Sequence, residues 1–217
     1  MNYDLLFILS FSVLIAAAIA LIKFANIRQS FYPFIYVIWL ASFNEVVSYF
    51  LIRNGMHNVV NSNIYCLLES LLLLWFFRNI GNFKKFNKLP YLLGFVFIIS
   101  WVVENFFISS IEKEYSSWFI LIYSFPVVLM SITAINTLLF KEKELLTNPL
   151  FLICIGFIVF FTYRIVVEVF WMYGLLASSN FAVSVYHILS FVNLLSNLIY
   201  ALAILWMKKK HAFTLQF

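Results

Sequence analysis

Phe160-Phe161-Thr162-Tyr163-Arg164-Ile165-Val166-Val167-Glu168 is the stretch on which the fold turns. It sits inside an apolar run from about 149 to 174, long enough to cross a bilayer, since about 20 helical residues span a hydrocarbon core of about 30 Å. Within that run stand an arginine and a glutamate. An ionisable side chain at bilayer depth costs about 2.5 to 3.5 kcal/mol on insertion scales, so it either pairs with another group or marks a functional site. Arg164 and Glu168 are four residues apart and share one helical face. The rest of the chain is read as supplying their surroundings.

Outward from this stretch, the composition gives the class. The 217 residues are 65% hydrophobic, 21% aromatic and 11% charged, against roughly 45 to 50% apolar and about 25% charged in soluble domains. Apolar runs at about 4 to 24, 31 to 52, 58 to 80, 89 to 109, 118 to 140, 149 to 174 and 181 to 207 predict an all-α, polytopic membrane protein with seven transmembrane helices. These form a single transmembrane domain over residues 1–217, and no length remains for a soluble catalytic domain. The runs are continuous, unlike the alternating segments of a transmembrane barrel. Cys66 and Cys154 fall in opposite halves of the membrane and are expected to be buried thiols, not a disulfide.

The net charge of +5 does not point to nucleic acid, because the basic residues flank apolar runs as topology signals do. Lys23, Arg28, Arg78, Lys84, Lys85, Lys88, Lys141, Lys143, Lys208, Lys209 and Lys210 fall on one side, which is eleven of the fourteen basic residues. Arg53 and Lys113 fall on the other, and Arg164 is within a span. The positive-inside rule then predicts an outside N-terminus and a cytoplasmic C-terminus. The first run is preceded by Asp4 and followed by Lys23 and Arg28, which suits a retained helix better than a signal peptide. Pro90 and Pro149 suit first helical turns, whereas Pro126 lies inside the fifth span.

With orientation set, the polar residues within the spans fall into a layer. Glu69 is near the midplane; Arg164, Glu45 and Glu104 lie outward by roughly 3 to 8 Å, and Glu168 and His187 by about 9 Å. Helical spacing extends the layer into faces. Asn61, Tyr65 and Glu69 recur every four residues; Ser42, Glu45 and Tyr49 follow a similar stripe; Tyr186, Ser190, Asn193, Asn197 and Tyr200 form the longest one, with His187 beside it. Lipid offers such groups no hydrogen bonds, so these faces should turn inward. The candidate ligand-binding or proton-binding set is therefore Glu45, Tyr65, Glu69, Glu104, Arg164, Glu168, His187, Asn193 and Asn197, to which the resemblance described below adds Asn63.

Each of these also has a purely structural reading. Arg164 and Glu168 can hold helices together, Asn193 and Asn197 can be interhelical glue, His187 can be a hydrogen-bonded packing residue, and Glu45 and Glu104 can reach water at the outer interface. Charge arithmetic favours more than a structural pair. Four carboxylates, Glu45, Glu69, Glu104 and Glu168, face one arginine and one histidine, so some should be protonated or hold a cation, Glu69 first because it is deepest. The sharpest expectation is that Arg164 bridges Glu168 and Glu69.

Several chemistries lack their residues. A metal hydrolase needs three or four ligands, and only His187 of the histidines is in the layer, so no metal and no cofactor are expected. A retinal protein needs a lysine within the last span, which has none before Lys208. No catalytic residue is assigned, although Ser184 or Ser190 near His187 leaves an intramembrane lipid hydrolase as a third reading. The leading expectation is a ligand-binding sensor or signalling component, with an outward-facing pocket for a small polar or cationic ligand and basic loops facing a cytoplasmic partner. The alternative is a proton- or cation-coupled transporter or channel, the latter also reachable by homo-oligomerisation.

In Asn44-Glu45-Val46-Val47-Ser48-Tyr49, in Asn61-Ser62-Asn63-Ile64-Tyr65-Cys66-Leu67-Leu68-Glu69, and in Tyr186-His187 through Asn193 and Asn197-Leu198-Ile199-Tyr200-Ala201, the chain resembles small seven-helix membrane proteins of the Bacteroidota type. The match covers less than half of the chain. The resemblance implies an inner-membrane location and singles out Asn63, Glu69, His187 and Asn197, but carries no activity with it. A membrane accessory of phage-defence systems is another context that the sequence leaves open.

Overall fold

A computed structural model describes residues 9–84, 86–140, 144–175 and 179–207. Of the charged residues used above for topology, Asp4, Lys85, Lys141, Lys143 and Lys208 to Lys210 lie outside the described residues. The chain is all α: α1 (Val13–Lys23), α2 (Tyr32–Arg53), α3 (Val59–Asn79), α4 (Leu89–Val103), α5 (Ser117–Leu139), α6 (Pro149–Met172) and α7 (Ser179–Trp206). Tight turns at Phe24–Asn26 and Gln29–Phe31 join α1 to α2, and α4 ends in a widened π turn, Glu104–Ile108.

Local sequence sets these boundaries. Pro33, Pro90 and Pro149 sit in the first turns of α2, α4 and α6, where the missing N–H would have no intrahelical partner anyway. Asn148 adds a side-chain cap, its Oδ1 accepting from the Leu150 N–H at 2.9 Å. Gly55, Gly81 and Gly174 follow α2, α3 and α6 with φ of 71°, 88° and 66°, the left-handed conformation that ends a helix without a Cβ penalty. After α2 and α3 the next N–H reaches back five residues, Met56 to the Leu51 carbonyl and Asn82 to the Phe77 carbonyl, which satisfies carbonyls that the helix end leaves free.

Among the described residues six helices are long and apolar enough to cross a membrane, and the protein is a multi-pass membrane-embedded bundle. The sequence predicts seven spans. Val13–Asn26 is apolar but shorter than the other six, and the run preceding it begins in residues 1–8, outside those described.

The helices form a closed circuit. Packed neighbours run α1 to α2, α2 to α3, α3 to α5, α5 to α6, α6 to α7, and α7 back to α1. α4 stands outside this circuit against α3 and α5, with most of its apolar surface facing outward. The α1–α7 seam is fixed by polar contacts: Lys23 Nζ donates to the Leu205 and Met207 carbonyls at the end of α7, and Asn197 Nδ2 donates to Ser12 Oγ at 2.9 Å. Toward the end of the bundle that carries Lys23 and Arg78, the interior is filled by Phe34, Phe76, Phe77, Phe157 and Tyr200, whose rings meet edge to face or tilted. Gly156 lets Tyr200 lie against the α6 backbone; a Cβ there would be 2.3 Å from the Tyr200 ring.

Candidate functional site

The other half of the bundle is hollow. A cavity of about 410 Å³ runs between α1, α2, α3, α5, α6 and α7, from Trp171, Tyr186 and Tyr115 near one end to Leu73, Phe157 and Tyr200 at its floor. That volume is in the range of small-molecule sites. On α3, α5 and α6 most of the lining lies in the half nearest the loops 54–58, 109–116 and 173–175, so the mouth lies at the end opposite Lys23 and Arg78.

Glu69 occupies the centre. It is buried on α3, and its carboxylate accepts from three donors: Tyr65 Oη at 2.6 Å, Tyr123 Oη at 2.5 Å and Arg164 Nη1 at 2.9 Å. All three neighbours donate, which suits a carboxylate. Arg164 Nη2 donates to Cys66 Sγ at 3.1 Å, and its guanidinium carbon stands 5.7 Å from the Tyr123 ring centroid and 5.9 Å from that of Phe160. The spacing of Tyr65 and Glu69 on α3 makes one contact local. The others reach across the bundle from α5 and α6.

The expected bridge is therefore half formed. Arg164 pairs with Glu69, and among the described residues this is the ion pair found; Glu168, one turn further along α6, is outside ion-pairing distance. The reason is direction. Helical side chains lean toward the N-terminus of their helix, but Arg164 extends to a partner already anchored by two tyrosines and leaves Glu168 nearer the mouth. The cation expected for Glu69 is Arg164, and among the described residues Glu45, Glu104 and Glu168 have no ion-pair partner. Glu45 lies beside Ser10. Glu168 lies beside Ser117, although the Ser117 hydroxyl, buried in the cavity wall, meets hydrogen-bond geometry with no group.

Of the ten residues selected from sequence, eight line the cavity: Glu45, Asn63, Tyr65, Glu69, Arg164, Glu168, Asn193 and Asn197. Glu104 and His187 do not. Glu104 instead caps α5, its Oε1 and Oε2 accepting from the backbone N–H groups of Trp118 at 3.0 Å and Phe119 at 2.6 Å. A carboxylate at a helix N-terminus meets unsatisfied donors and the positive end of the helix dipole. His187 is half-buried on α7, and its Nε2 has no hydrogen-bond partner among the described residues.

Asn63 serves the loop between α4 and α5. Its Nδ2 donates to the carbonyls of Ile111 at 3.3 Å and Glu114 at 2.9 Å, and its Oδ1 accepts from the Ser116 N–H at 3.0 Å. The Asn63 carbonyl accepts from Trp101 Nε1 at 2.8 Å, so one residue on α3 ties down both α4 and the loop. That loop delivers Tyr115 to the cavity mouth, where burial pushes its phenol above the ordinary range. Asn193 and Asn197 are one turn apart, bonded at 3.3 Å, and Asn197 spends its other contact on Ser12.

Sequence reading missed Tyr123, Tyr115, Trp171 and Cys66 as parts of the site. A signal for Tyr123 exists: Ile120, Tyr123, Val127, Met130 and Ala134 follow a 3,4 spacing on α5 and are all buried, so Tyr123 lies on an inward face. No family model, curated protein or solved structure matches the chain.

Proposed function

We propose that the protein is a ligand-binding sensor or signalling component of the cytoplasmic membrane, with seven spans, an outside N-terminus and a cytoplasmic C-terminus. The observation that carries this reading is the cavity of about 410 Å³ with Arg164 and Glu69 at its centre and two carboxylates in its wall, Glu45 and Glu168, that have no ion-pair partner among the described residues. Charge-flanked loops support the orientation, which puts the cavity mouth on the extracytoplasmic side and the Lys- and Arg-bearing loops toward a cytoplasmic partner. The inner-membrane assignment rests on the resemblance in the α2, α3 and α7 segments.

The test is a thermal-unfolding screen of the purified protein in nanodiscs against small polar solutes, paired with flux assays in proteoliposomes. Stabilisation by a solute without flux supports a sensor. A screen in which nothing raises the unfolding temperature removes this reading. The unpaired Glu45 and Glu168 favour a second reading, a proton- or cation-coupled transporter; flux that disappears in Glu168→Gln is its signature. Of the residues behind the hydrolase reading, Ser190 lines the cavity and His187 does not.

A further inference from the structure

We propose that the cavity mouth takes an alkylated ammonium group, a cation of the choline type, held against Glu168 by an aromatic wall of Tyr115, Trp171 and Tyr186. This assignment rests on the ligand-binding reading above and gives the ligand its chemistry.

Glu168 and Trp171 are three residues apart on α6 and both line the cavity, so they share one face. Tyr186 comes from α7, where it packs against Val167, the neighbour of Glu168 in sequence, and Tyr115 comes from the loop before α5; both line the cavity. Three aromatic rings and one carboxylate thus line the same cavity. Glu168 has no ion-pair partner among the described residues; the buried Ser117 hydroxyl lies beside it and Arg164 acts on it only from a distance. A carboxylate in this setting lacks a direct counter-charge.

The identity of the missing cation follows from the walls. A divalent metal ion asks for six or more oxygen ligands, and no group of three His, Cys, Asp or Glu able to hold a metal occurs among the described residues. Aromatic faces with a single carboxylate are instead the recognition chemistry of quaternary ammonium groups, whose charge is spread over methyl groups too bulky for a small-ion cage. The same chemistry is offered by a soluble solute and by a lipid headgroup.

The experiment titrates choline into the full-length protein in nanodiscs of phosphatidylglycerol, following thermal unfolding and Trp fluorescence, with 3,3-dimethyl-1-butanol as the uncharged isostere and sodium chloride at equal ionic strength. Choline should stabilise the protein saturably while the isostere and sodium do not. Glu168→Gln and Trp171→Ala should each weaken choline binding about tenfold or more, and Tyr186→Phe, which keeps the π face, should retain it. Nanodiscs of phosphatidylcholine separate the sources, since a headgroup occupant competes with added choline and a soluble one does not. Equal responses to choline and its isostere, or stabilisation by anionic solutes alone, overturn the ammonium assignment while leaving the pocket. Absence of any solute effect in the wild type overturns the pocket reading itself. The wild-type comparison decides the matter even if a variant fails to fold.

Discussion

Arg164 on α6 and Glu69 on α3 meet at 2.9 Å although their helices are not among the closely packed pairs of the bundle. The contact crosses the interior, carried by side-chain length. It is nearly dry, with side-chain exposures of 14% and 4%, so removing one partner leaves an uncompensated charge.

Arg164→Met should therefore destabilise the protein by about 3 to 5 kcal/mol, and adding Glu69→Leu should recover much of that loss, because a buried pair costs more to break than to replace. Equilibrium unfolding in detergent of the two single variants and the double variant measures it. Simple additivity of the two losses would show that the pair is not coupled.

Glu104→Ala should cost about 1 to 2 kcal/mol through the loss of the α5 cap, with faster amide exchange at Trp118 and Phe119. Ligand affinity should stay unchanged, because Glu104 is outside the cavity. A large loss of binding with normal exchange at Trp118 would contradict the capping role.

Asn63→Ala strips partners from the Ile111 and Glu114 carbonyls and from the Ser116 N–H. The buried Ser116 N–H costs about 1 to 3 kcal/mol when orphaned, whereas the part-buried Ile111 and Glu114 carbonyls can turn to water and cost less. Proteolysis between α4 and α5 should accelerate, and Tyr115 should lose its place at the mouth. Unchanged cleavage rates in limited proteolysis would argue that the loop is held by other means.

Gly156→Ala places a methyl 2.3 Å from the Tyr200 ring, and overpacking of this kind costs about 1 to 3 kcal/mol. Tyr200 also forms part of the cavity floor, so its displacement should alter the cavity as well as stability. A thermal shift compared with a Gly156→Ala, Tyr200→Leu double variant tests the origin: relief in the double variant identifies the ring as the obstacle.

Much of the bundle was legible because its signals are local. Run length places α2 to α7 to within a few residues, and Gly55, Gly81 and Gly174 mark three helix ends. Polar spacing on α3 and α7 correctly turns Tyr65, Glu69, Asn193 and Asn197 toward one interior. What was not legible depends on depth and direction together. Glu104 shares the depth of Glu45 yet sits on α4, outside the circuit of helices, and meets backbone N–H groups of α5 that a sequence pattern does not display. Glu168 shares a face with Arg164, but periodicity does not reveal that the guanidinium extends to Glu69 and Cys66. Tyr115 enters the site from a loop, where no periodicity exists to read.

The seam in which Lys23 reaches the last carbonyls of α7 and Asn197 reaches Ser12 bears on biogenesis. The helix that completes the enclosure leaves the ribosome after the six helices it joins. Until it arrives, the carboxylates of Glu45, Glu69 and Glu168 stand in an open trough beside lipid or the insertion machinery. A chain stalled or cleaved before α7 would expose charged groups at membrane depth, a form that membrane quality-control proteases are suited to remove.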